Sequence, residues 1–61
     1  MLEFIETTKD GEMIFEGDYS IKKIIVHDEE VFKVYFKGIR INQFGYFSRA
    51  VEWIEGNLDE L

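Results

Sequence analysis

Apolar residues recur at Phe47, Ala50, Val51, Ile54 and Leu58, offsets of three, four, seven and eleven that place all five on one face of a helix. No other stretch of the chain has that period. One helix is therefore predicted, over Gly45 to Leu58, with Gly45 as its N-cap and Gly56-Asn57 as its C-terminal stop. Leu58 and Leu61 extend the stripe if the helix continues past that stop.

Everything ahead of the helix has the pattern of strands. Leu2 to Thr8 alternates loosely and is rich in strand formers. Asp10-Gly11 is a hairpin signal, because both residues tolerate positive φ, and Met13-Ile14-Phe15 returns from it. Glu16-Gly17-Asp18 interrupts as a turn or a bulge. Tyr19 to His27 is the next strand. Its consecutive Ile24, Ile25 and Val26 mean either that both faces are partly buried or that a bulge shifts the register. Asp28-Glu29-Glu30 connects it to Val31–Lys37, which alternates cleanly, with Phe32, Val34 and Phe36 on one face and Lys33, Tyr35 and Lys37 on the other. Lys37-Gly38 is a tight turn. On the returning stretch to Phe44, Ile39 and Ile41 join the Phe32 face, and Arg40 and Asn42 join the Lys33 face.

Strands followed by one helix predict an α+β fold. The expectation is a small two-layer domain: an antiparallel sheet of four or five strands, as a β-hairpin and then a three-stranded meander, covered by one C-terminal α-helix. Length predicts one domain over residues 1–61. A chain this short buries only about 60% of its unfolded surface. Six Phe, three Tyr and one Trp compensate, since each buried ring removes roughly 150–250 Å² from water. Self-association is the expected way to complete such a core, with Trp53 and Leu61 or a sheet edge as the contact.

Without cysteine the chain has no disulfide and no thiolate metal site, and the lone His27 does not make a histidine-rich one. No metal and no cofactor is expected. The N-terminus has an acid at every third residue and no positive region, so no secretory signal is predicted. No apolar run approaches the roughly 18 residues of a membrane span. A soluble protein of the cytoplasm, or of the inside of a host cell, is expected.

Charge changes this picture. The net charge of −6 is unevenly spread: net −5 over residues 1–19, net +3 over 20–49 and net −4 over 50–61. The middle sheet is basic and both ends are acidic, a distribution that marks either a binding face or a solvated surface. The thirteen acids form no evident catalytic pair. A catalytic carboxylate needs an enclosing pocket, and Asp28, Glu29, Glu30, Glu52 and Glu55 have the spacing of solvent-exposed residues. Ser20 and Ser48 sit in no nucleophile-elbow pattern, and no glycine-rich phosphate loop is present. The chain reads as a non-enzyme.

The candidate binding residues are Lys33, Tyr35, Lys37, Arg40 and Asn42 on the outward face, with Lys23 near them, and Tyr46 and Trp53 on the helix flank. Bases, an aromatic and an amide on a β-ribbon can hold phosphates and touch bases. Lys37-Gly38-Ile39-Arg40-Ile41, then Phe44, Ala50, Trp53 and Ile54, resembles the end of the small β-β-β-α DNA-binding domains of the AP2 and integrase arm-binding type. The resemblance covers about residues 20–57. It implies a three-stranded sheet that reads DNA, backed by a helix. Two features depart from it: such domains are usually basic, and the acidic N-terminal hairpin would have to stay clear of phosphates.

The expected function is that of a small acidic protein-interaction module, of the accessory or inhibitor kind that phages and mobile elements encode, acting on a protein partner. An acidic chain of this kind can present carboxylates in place of phosphates. Nucleic-acid binding through the basic face is the alternative, and a structural homo-oligomer is a third.

Overall fold

The computed structural model describes residues 2–59, so Leu61 lies outside the described residues. Five strands form one antiparallel sheet in sequence order: β1 (Phe4–Thr7), β2 (Glu12–Phe15), β3 (Tyr19–Val26), β4 (Glu29–Phe36) and β5 (Ile39–Phe44). One helix, α1 (Phe47–Asp59), lies against one face. The architecture is the expected α+β sheet covered by a C-terminal helix.

Each connection follows from a local backbone preference. Lys9, Asp10 and Gly11 make a three-residue loop rather than a two-residue one. The Gly11 amide donates to the Thr8 carbonyl, the Thr8 amide donates to that of Glu12, and Gly11 takes φ 85°. A short 3₁₀ turn, Glu16–Asp18, joins β2 to β3 through Gly17 at φ 75°. The β3–β4 turn is His27-Asp28, with φ of 52° and 65°, so Glu29 and Glu30 belong to β4 and not to a loop. Histidine and aspartate are among the few side chains that enter the left-handed region readily, so this hairpin closes without glycine. Lys37-Gly38 is the turn the sequence predicts, with positive φ at both residues.

The β3–β4 register runs without a break from Tyr19↔Phe36 to Val26↔Glu29. Ile24 and Ile25 therefore alternate normally and point to opposite faces, which decides between the two readings of that stretch. Cross-strand pairs assign the inner, helix-covered face: Met13 and Phe15 of β2, Tyr19 and Ile21 of β3, and Phe32, Val34 and Phe36 of β4. The core consists of Leu2, Phe15, Tyr19, Ile21, Phe32, Val34, Ala50 and Ile54.

The helical stripe packs as its period predicts. Ala50 and Ile54 are fully buried, Val51 and Leu58 pack against the core, and Phe47 meets Phe32 edge-on at 5.8 Å. Its ends differ from expectation. Gly45 is not the cap; the Ala50 amide donates to the Tyr46 carbonyl, so the helix starts one residue after Tyr46. Gly56-Asn57 does not stop it either. Asn57 donates its side-chain amide to the Trp53 carbonyl at 2.8 Å and stays helical. The Glu55 carboxylate accepts the Leu2 amide at 2.8 Å, which ties the start of the chain to the last turns of the helix.

Ile41 is a second correction. The β4–β5 register shifts between Val34 and Tyr35, where β5 carries an extra residue. Phe44 and Asn42 oppose Phe32 and Val34, while Arg40 opposes Tyr35. Ile41 thus leaves the core and is 42% exposed. The bulge exchanges the expected faces of Ile41 and Asn42.

Candidate binding surface

The helix covers the inner face, and no described element covers the other. On that outer face two rows of side chains cross the sheet. The first runs Glu6, Ile14, Ser20, Tyr35, Arg40, one residue from each strand. The second runs Glu12, Lys22, Lys33, Gln43. Ile24 and Val31 form a shorter third row on β3 and β4, beyond which Val26 opposes Glu29. Tyr35, Lys33, Lys22, Ile14, Ile24 and Val31 are half-buried by one another, and Ser20, the smallest side chain among them, is only 7% exposed.

Of the residues singled out in the sequence, three come together here: Lys33, Tyr35 and Arg40. Arg40 donates to the Gln43 side chain at 3.2 Å. The other four do not join them. Lys37 sits in the turn, where its backbone amide donates to the Asp18 carbonyl and its ammonium lies 5.4 Å from the Phe36 ring centroid, towards the inner face. Asn42 opposes Val34 because of the bulge, and its side-chain oxygen accepts the Gln43 amide. Tyr46 is 72% exposed in the bend before α1. Trp53 packs against Phe44 with ring centroids 6.2 Å apart and is half-buried, so it is not a free anchor.

Lys23 is also displaced. It shares the inner side with Phe32 and pairs with Glu30 at 3.2 Å, with both side chains about half exposed. Its neighbour Lys22 occupies the outer face instead. Sequence reasoning missed Lys22 because the apolar run at 24–26 hid the parity of β3. The run Tyr19, Ile21 carries the signal that fixes it: both are core residues, so Lys23 shares their side and Lys22 takes the other.

The outer face is electrically balanced. Lys22, Lys33 and Arg40 occupy β3, β4 and β5, while Glu6 and Glu12 occupy β1 and β2, with Glu29 at the far end of β4. Among the described residues the one ion pair within 4.0 Å is Lys23–Glu30. None of the six outer-face charges is paired with another described residue at that distance.

At the end of the sheet, beside the start of α1, lies an open cleft of about 530 Å³ lined by Glu29, Glu30, Phe32, Gly45, Tyr46 and Phe47. A second, of about 460 Å³, shares Glu30, Phe32 and Phe47 with it and adds Thr7, Gly11, Met13 and Lys23. Among the described residues no three His, Asp or Glu side chains come together as a metal site, and no helix is long and apolar enough to cross a membrane. No protein-family model matches the chain, and neither comparison with curated proteins nor with solved structures finds a match.

Proposed function

We propose that this chain is a small non-enzymatic protein-interaction module that receives its partner on the outer face of the sheet. The observation that carries this reading is the composition of that face. Ile14 and Tyr35 of the first row and Ile24 and Val31 of the third stand on either side of the Lys22–Lys33 pair, and the three bases are offset by three acids. Half-buried apolar side chains beside charges of both signs have the mixed composition of non-obligate protein interfaces. A sheet that holds phosphates needs a net positive face, because neutralised phosphates supply most of the affinity. The accessory or inhibitor role in the cytoplasm, or in a host cell, fits a short acidic chain with this single open face.

One observation favours nucleic acid as the second reading: Lys22, Lys33 and Arg40 stand on three successive strands beside Tyr35 and Gln43. Fluorescence anisotropy with labelled single-stranded and duplex oligonucleotides at about 50 mM salt separates the two, since electrostatic attraction is strongest at low salt. No binding is expected. Micromolar binding that disappears when Lys22, Lys33 and Arg40 are all replaced by Ala, in a variant still folded by circular dichroism, would replace the protein partner with a nucleic acid.

A further inference from the structure

We infer that the occupant of the outer face is a second copy of this chain, packed face to face about a two-fold axis that runs along β3. The inference rests on the reading of that face as a protein-binding surface and names what it binds. Its basis is the order of side chains in the first row. From β1 to β5 the row reads acid, apolar, small, apolar, base: Glu6, Ile14, Ser20, Tyr35, Arg40.

A two-fold axis lying between two stacked sheets, parallel to the strands and over β3, superposes β1 of one copy on β5 of the other. It places β2 over β4, and β3 over itself. Glu6 then faces Arg40 of the second copy, twice. Ile14 faces Tyr35, also twice. Ser20 meets its own copy at the centre, where a small side chain lets the sheets approach to the roughly 10 Å spacing of packed sheets. In the second row the same rotation sets Glu12 over Lys33. Glu6 and Arg40 are separated by four strand spacings, about 19 Å, so a single chain cannot join them. A second copy inverted in this way brings each to an opposite charge.

The charge of the whole molecule points the same way. At net −6, two copies repel through most of their surface. The outer face is the exception, because its three acids and three bases cancel and have no ion-pair partners among the described residues. A standard interface buries about 800 Å² per partner. That is roughly a sixth of the 4589 Å² this chain exposes, a share that one open sheet face can supply. Lys22 works against the arrangement, since it stands near its own copy across the axis. Its cross-strand neighbours are Lys33 on β4, which adds to the repulsion, and Glu12 on β2, the carboxylate placed to relieve it.

Sedimentation equilibrium from about 10 μM to 1 mM tests the inference with three variants. Native protein should dimerise within that range. Arg40→Glu should weaken the dimer about tenfold or more, because both Glu6 contacts become repulsive. Glu6→Arg should weaken it similarly, because both Arg40 contacts do. The two variants mixed in equal amounts should form a heterodimer near native strength, since each supplies the charge the other lacks at both contacts. Lys22→Gln should tighten the native dimer.

A monomeric native mass at 1 mM overturns the second copy as occupant. So does a mixture no stronger than its components, which removes the inverted arrangement. Neither result touches the reading of the face itself. That reading fails if Tyr35→Glu, still folded, leaves both the dimer and every other protein contact of the chain unchanged.

Discussion

Single residues matter most where the backbone takes a positive φ. Gly17 and Gly38 both do, at 75° and 83°, yet their surroundings differ. A methyl group added at Gly38 meets nothing within 4 Å, so Gly38→Ala should cost only the left-handed backbone penalty of about 1 kcal/mol. At Gly17 the same methyl comes 2.9 Å from the Leu58 side chain, on which the last turns of α1 rest. Gly17→Ala should therefore cost more, about 2 kcal/mol, and lower the thermal midpoint by roughly 8–16 °C in a domain this small. The excess over Gly38→Ala should vanish in a Leu58→Ala background, because the clash and not the backbone is then removed. A double-mutant cycle followed by circular dichroism reads this directly.

Elements are held by very few anchors. Among the described side chains of α1 only Ala50 and Ile54 are fully buried, and Ile54 joins the same core as Ile21 and Val34, which are also completely enclosed. Truncation of Ile54 to Ala should cost about 2–5 kcal/mol, a large share of the stability of a small domain. An unchanged thermal midpoint would mean that the helix docks through another side. The Glu55 carboxylate accepting the Leu2 amide is a weaker anchor. It is part-buried, so Glu55→Ala should cost about 1 kcal/mol. The loss should appear as faster amide exchange at Leu2 while the central strands β3 and β4 keep their protection.

At the scale of the whole molecule, one layer of sheet has one layer of helix and an open side. A domain that leaves Tyr35, Ile24 and Val31 only half-covered gains stability when a second surface covers them. Association of native copies then couples to folding by mass action. The thermal midpoint should rise as protein concentration rises from about 10 μM to 1 mM. Arg40→Glu should flatten that dependence without lowering the midpoint at the dilute end, since Arg40 is exposed and its side chain bonds to Gln43.

The helix and the order of strands were legible in the sequence because both follow from short-range periodicity. Phe47, Ala50, Val51, Ile54 and Leu58 have one face whatever they pack against, and Phe32, Val34 and Phe36 alternate within a single strand. The Lys37-Gly38 turn was legible for the same local reason. What only the tertiary structure decided is which residues stand beside one another across strands. A bulge in β5 costs a single extra residue and exchanges the faces of Ile41 and Asn42; its one mark in the sequence is Phe44, a position out of phase with Ile39 and Ile41. The parity of β3, which sets Lys22 on the outer face and Lys23 against Glu30, is fixed by the packing of Tyr19 and Ile21 under the helix. The row from Glu6 to Arg40 takes one residue from each of five strands, over 34 positions of chain. It exists only once every register is set, and pairing between distant strands is the property a local pattern does not encode.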